Sequence, residues 1–177
     1  MIIEPIKAEY QRYKSLAEGA IAQIKDEDLH NAAGDDTNAI AVIMNHISGN
    51  LKSRFTNFLT EDGEKPWRNR DEEFEEKRED RATLLKKWEE GWRILFDEID
   101  ALQDSDLGKV VRIRSKELTV SDALQRSLAH AAYHAGQIVL LARIQAGKNW
   151  KSLSIPRGKS QEYNLNPTKE RPPGARQ

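Results

Sequence analysis

The stretch SDALQRSLAHAAYHAGQIVLLARIQA, residues 121–146, decides the fold. Leu124, Leu128, Ala131, Ala135, Ile138 and Leu141 recur at three- and four-residue steps, which predicts one long amphipathic helix. Thr119 followed by Asp122 supplies a hydroxyl-and-acid cap at its start, and Gly147 is placed to end it. Beside the apolar stripe runs a polar one of Ser127, His130, His134 and Gln137. Histidines four apart lie one turn above the other on a helix face, so His130 and His134 can bind one metal ion together. Two ligands rarely suffice. Of the chain's four histidines, His46 falls on a second strongly helical segment and His30 in a polar link without apolar period. The expectation is a helical bundle built around His46, His130 and His134, with His30 outside the site.

Outward from this helix, the remaining apolar periods place three more. Ile6, Tyr10, Tyr13, Ala17, Ile21 and Ile24 predict a first helix over 4–25. A polar link over 26–37 follows, turning at Gly34-Asp35-Asp36. Ile40, Ile43, Met44, Ile47, Leu51, Phe55 and Phe58 predict a second helix over 38–59, capped by Thr37 or Asn38. On it His46 shares a stripe with Val42, Gly49, Asn50 and Ser53, small and polar residues that leave room for a pocket. A third helix over 81–102, capped by Asp80, carries Leu84, Leu85, Trp88, Trp92, Leu95, Phe96, Ile99 and Leu102. Its two tryptophans read as core or as a dimer seam, since aromatic residues are enriched at interface cores.

Two connections depart from the helical period. Residues 61–80 are highly charged and broken by Gly63 and Pro66, with Trp67 and Phe74 as apolar anchors. The segment reads either as a solvated linker or as a lid over the metal site with Trp67 as a pocket wall. Residues 108–120 alternate around Arg114-Ser115-Lys116-Glu117 and predict a short hairpin leaning on the bundle. After Gly147 the chain is polar, and Pro156, Pro167, Pro172 and Pro173 forbid a long helix. The fold class is therefore all-α, a four-helix bundle with a small β-hairpin before the last helix and an irregular C-terminal tail. Residues 1–165 form a single domain and 166–177 a flexible tail.

Composition narrows the function. Lys and Arg number 28 against 29 Asp and Glu, a net charge of −1 over 177 residues. That argues against a general electrostatic grip on nucleic acid or anionic lipid. There is no cysteine, so disulfides, thiolate ligands and a cysteine nucleophile are out. No apolar run approaches the ~18 residues of a membrane span, and the start lacks a signal peptide's pattern. The expectation is a cytoplasmic protein with no nucleic-acid or membrane partner. A zincin protease needs Glu after the first histidine of the pair, where Ala131 stands. A di-iron bundle needs Glu three before its histidines, which neither His130 nor His134 has. Arg157-Gly158-Lys159-Ser160 has the ending of a phosphate loop but Leu153 where its first glycine belongs. Three histidines with an open position could activate water or a thiol. Asn50, Tyr133 and Gln137 are the local candidates to orient the imidazoles or line a pocket.

The order of parts resembles the DinB superfamily and, more closely, its DUF1572 subfamily. The matching stretches are Asn45–Asn50, Asp62–Trp67, His130–Gln137 and Ser154–Ser160. The resemblance implies an up-down-down-up bundle, commonly a homodimer, with a divalent metal, zinc or nickel, on His46, His130 and His134. It also implies that Ser154–Ser160 belongs to the folded body. Characterised members of the superfamily imply a transferase of a low-molecular-weight thiol to a small electrophile. Arg68 and Arg157 could then hold an acidic thiol cofactor. The alternatives are a metal-dependent hydrolase of a small molecule and a non-enzymatic, stress-related metal-binding bundle.

Overall fold

The computed structural model describes residues 2–75 and 77–168. The chain is mostly helical. Four long helices, α1 (Ile3–Ile21), α2 (Ile40–Phe55), α3 (Arg81–Ala101) and α4 (Val120–Ala146), carry the core. A two-stranded antiparallel hairpin, β1 (Val110–Ile113) with β2 (Lys116–Thr119), stands directly before α4, and a short α5 (Ser160–Asn164) follows it. Short 3-10 turns occupy Glu27–His30, Asp71–Phe74, Asp104–Asp106 and Gly147–Asn149. Among the described residues no helix is long and apolar enough to cross a membrane.

Two helix pairs make up the body: α1 packs along α4, and α2 along α3. The first pair is tied through the core by Tyr10, whose hydroxyl donates to the Leu124 carbonyl at 2.8 Å. The second closes at Gly91, where an added Cβ would stand 2.9 Å from the Ser48 carbonyl oxygen and 3.0 Å from its Cα. Only glycine allows that approach. Trp88 and Trp92 lie fully inside, ring centroids 5.5 Å apart, and each large side chain so buried contributes about 1.5–3 kcal/mol. They are core residues and are not free to form the dimer seam that their spacing allowed, because α1 and α2 already cover that face of α3. The Trp88 indole also donates to Glu18 Oε1 at 3.0 Å.

The ends of the elements follow local chemistry. Asp80 accepts from the Thr83 amide at 2.7 Å and starts α3. Thr119 and Asp122 form the reciprocal box that starts α4, and Gly147, at φ 53°, ends it. α1 stops at Ile21, short of the expected 25, because the Arg81 guanidinium takes the carbonyls of Ile21 and Ile24 at 3.0 and 2.7 Å. α2 starts at Ile40 with Ala39 as its cap and no side-chain cap bond, so neither Thr37 nor Asn38 has the role expected of it. It ends at Phe55, and Asn57 at φ 52° turns the chain two residues later. The tail is not wholly irregular, since Ser160–Asn164 makes one helical turn of α5. Most of the tail expected over 166–177 lies outside the described residues.

The hairpin and the segment after α2 are locked together. Arg114 and Ser115 turn the hairpin with φ of 55° and 61°. Asp62 accepts from both of their amides, at 2.8 and 2.6 Å. The Gly63 amide donates to the Arg112 carbonyl at 2.8 Å. This clamp sets Ile113 and Arg114 against the end of α2, beside the histidines.

Candidate metal centre

α2 and α4 bring His46, His130 and His134 together. Their potential ligand atoms all lie within 4.8 Å of one another. Nε2 of His130 stands 3.2 Å from Nε2 of His46 and 3.2 Å from Nε2 of His134. Two nitrogens at zinc-like bond lengths in a tetrahedron are about 3.3 Å apart, so the spacing fits one shared ion. Neither acid nor cysteine joins the group among the described residues. His30 stays away from it, its Nε2 bonded to the Glu79 carbonyl at 2.9 Å.

Second nitrogens fix the rings. His46 Nδ1 lies 3.0 Å from Glu73 Oε2, and His134 Nδ1 lies 2.7 Å from Gln137 Oε1. Gln137 is itself oriented, because its amide nitrogen donates to the Tyr133 hydroxyl at 3.0 Å. A carboxylate and a carbonyl oxygen can only accept, so each Nδ1 carries the proton. In the neutral rings Nε2 of both His46 and His134 is then a bare lone pair, aimed at the same spot. His130 has at most one Nε2 proton for these two lone pairs. A cation satisfies all three nitrogens at once. Burial, then the neighbouring His134 and His46, then Arg68 and Arg54, hold the pKa of His130 down to about 4. Burial and His46 lower that of His134 against the opposing bond from Gln137. Neutral imidazoles are the ligand form.

Glu73 is the residue that sequence reading missed. Its side chain is nearly buried in the 3-10 turn Asp71–Phe74, which folds the charged connection back over α2. Arg68 grips it with two bonds, Nε to Oε1 at 2.7 Å and Nη2 to Oε2 at 2.8 Å. Burial alone would raise its pKa, but the bonds from Arg68 and His46 outweigh burial and hold it below the usual carboxylate range. Gly49 makes the room: a Cβ there would run into Glu73 Oε1 and stand 2.9 Å from Cδ. The Phe74 ring covers His46 at 4.8 Å between centroids.

The connection therefore does cover the site, through Glu73 and Phe74. Trp67, expected as its pocket wall, is half exposed and sits near Lys52 on a second cavity that does not include the histidines. Asn50 does line the cavity that opens on His46 and His130, about 240 Å3 in volume. Tyr133 and Gln137 lie behind His134. Nothing in the sequence separates Glu73 from Asp71 and Glu72 beside it, so only the turn reveals its role.

A family model described as "Protein of unknown function (DUF1572)" matches residues 2–159. No curated protein and no solved structure matches the chain.

Proposed function

Since the chain belongs to the DUF1572 family, whose description states no function, we propose from the three histidines that it is a divalent-metal-dependent enzyme, and from its resemblance to the DinB superfamily that its four long helices form a DinB-type bundle. The resemblance to that superfamily, rather than the geometry, selects the reaction within this reading: transfer of a low-molecular-weight thiol to a small electrophile. One observation carries the metal site: Nε2 of His130 stands 3.2 Å from Nε2 of both His46 and His134, all three offer ligand atoms within 4.8 Å of one another, and two of the rings are pinned from behind. When bound there, zinc or nickel supplies Lewis acidity that turns a thiol into thiolate or water into hydroxide near neutral pH. His46, His130 and His134 would hold the ion, and no acid or cysteine among the described residues joins them to close the site. Glu73 and Gln137 keep the Nδ1 protons in place and so keep the ligand lone pairs directed inward. Phe74 excludes water from one side of His46, and the cavity bounded by Asn50 admits substrate from the other.

The open cavity supports catalysis over a purely structural or sensing ion, which a fourth protein ligand would close off. Hydrolysis of a small molecule uses the same open position and is the alternative. The homodimer belongs to this reading too, supported by the exposed stripe of Tyr133, Leu140 and Ile144 on α4, and sedimentation velocity tests it. The activity is tested by loading the untagged protein with zinc or nickel and following conjugation of small thiols to monobromobimane. Turnover should require the metal and fall at least a hundredfold in His130→Ala. Turnover that survives loss of each histidine in turn would overturn the assignment. Stoichiometric metal with no thiol transfer would move the reading to hydrolysis or to a structural ion.

A further inference from the structure

We propose that the cavity beside the three histidines is an anion site, so that the site's substrate carries a carboxylate or phosphate group. Calling that ligand a substrate rests on the reading above, whereas the anion site itself stands on the arginines. Arg54, Arg68, Arg70, Arg114 and Arg126 all line this one cavity, together with His46 and His130, and no described carboxylate lines it. They come from α2, the connection, the hairpin turn and α4, so separate parts of the chain converge on it. The whole chain is close to neutral, which makes this a local concentration of charge. Gathering like charges costs folding free energy, and a bound anion offsets that cost.

The acids that answer these arginines stand behind them. Glu64 takes both Arg54 and Arg114, at 3.2 and 3.0 Å. Glu73 takes Arg68, and Asp62 is occupied with backbone amides of the hairpin turn. Arg70 and Arg126 are exposed and carry no ion pair among the described residues, although Arg70 lies over the Phe74 ring. A guanidinium presents paired N–H groups that match a carboxylate or phosphate. The neighbouring cavity serves as an internal comparison. It is walled by Glu73, as the histidine cavity is not, and sets Lys52, Lys77 and Lys87 against Glu72, Glu73 and Glu90. Cation excess is therefore a property of the histidine cavity and not of the surface at large. At about 240 Å3 the space lies just below the usual range for small-molecule pockets, which suits a small acid or phosphate ester.

Calorimetry tests this on the full chain stripped of metal by a chelator, so that binding to an ion cannot mimic binding to arginine. The probes are succinate, inorganic phosphate and the uncharged succinamide. Succinate or phosphate should bind with a Kd of about 1 mM or tighter, and succinamide should not. The tighter of the two names the ligand class. Replacing Arg70 and Arg126 together by Gln should weaken that binding about tenfold or more. Arg126→Gln alone should move it in the same direction. Both side chains are exposed, so an unchanged melting temperature verifies that the variants fold. The inference is overturned if neither anion binds, if succinamide binds as well as succinate, or if the folded double variant binds as tightly as the parent. Uptake of zinc or nickel by a separate portion of the protein, re-supplied with the ion after the chelator is removed, separates the two claims: anion binding without metal uptake sinks the metal reading alone, and metal uptake without anion binding sinks this one alone.

Discussion

Replacing Gly49 by Ala should separate the stability of the fold from the affinity of its site. The new Cβ would run into Glu73 Oε1 and stand 2.9 Å from Cδ, where carbon contacts normally begin near 3.5 Å. The carboxylate has to retreat by about 1 Å. It is the far end of a flexible side chain, so the backbone need not move. Yet from its present place it reaches His46 Nδ1 at 3.0 Å and both Arg68 nitrogens at 2.7 and 2.8 Å. A 1 Å retreat breaks the bond to His46 or the two-pronged grip of Arg68. Partners of this kind, once lost, lower metal affinity about 10–100-fold, or about 1.4–2.7 kcal/mol. Meanwhile an alanine inside α2 gains about 1 kcal/mol of helix propensity over glycine. The expected variant keeps the parent's unfolding free energy, measured in urea, within about 1 kcal/mol and loses at least tenfold in zinc affinity by competition with a chromophoric chelator. In the metal-free protein, nitrogen-15 spectra should show His46 losing its fixed Nδ1–H tautomer. Unchanged zinc affinity together with an unchanged tautomer would refute the claim that Glu73 positions His46.

Other perturbations probe other links of the account. Gly91→Ala meets the Ser48 backbone, which cannot swing aside, and should cost about 1–3 kcal/mol in urea unfolding; Gly136→Ala, with nothing within 4 Å of its Cβ, should be neutral or stabilising by up to about 1 kcal/mol. Arg68→Ala leaves the Glu73 carboxylate buried without its cation and should destabilise by about 3 kcal/mol, read from the same unfolding curves. The metal-free protein should weaken with acid. His130 stays neutral in the folded chain down to about pH 4, whereas the unfolded chain takes up its proton near pH 6.5. Its contribution is thus complete above about 6.5 and is lost as pH falls from there to about 4. His130→Gln should flatten that part of the stability profile, and a variant profile parallel to the parent's would contradict the assignment.

Much of this fold is legible in the chain because apolar periods survive translation into packing. The α4 stripe, the Thr119 and Asp122 box, the Asp80 cap and the hairpin before α4 all appear where periodicity and cap chemistry place them, although the hairpin turns at Arg114 and Ser115 alone and pairs Lys116 and Glu117, which the sequence pattern puts in its turn. Helix ends are less legible, because distant groups decide them: α1 stops where Arg81, sixty residues away, claims its carbonyls. The site divides in the same way. The spacing of His130 and His134 announces itself, and the small residues around His46 correctly suggest room, although Gly49 makes that room for Glu73 and Ser53 spends its hydroxyl on the Gly63 carbonyl. Glu73, Arg54 and Arg126 are ordinary charges in charged surroundings until the fold gathers them. Trp67 looked like the anchor of the cover because it is the largest apolar residue in its segment, yet Phe74 covers His46.

The proposed enzyme depends on whether the three histidines hold an ion, and metal content measures that most directly. Untagged protein, purified without chelator and dialysed, should carry close to one divalent ion per chain by mass spectrometry. The ion should fall to a small fraction of that in His46→Ala, His130→Ala and His134→Ala alike. A parent protein that takes up no ion even from excess zinc or nickel, or a triple-alanine variant that retains it in full, would contradict the account.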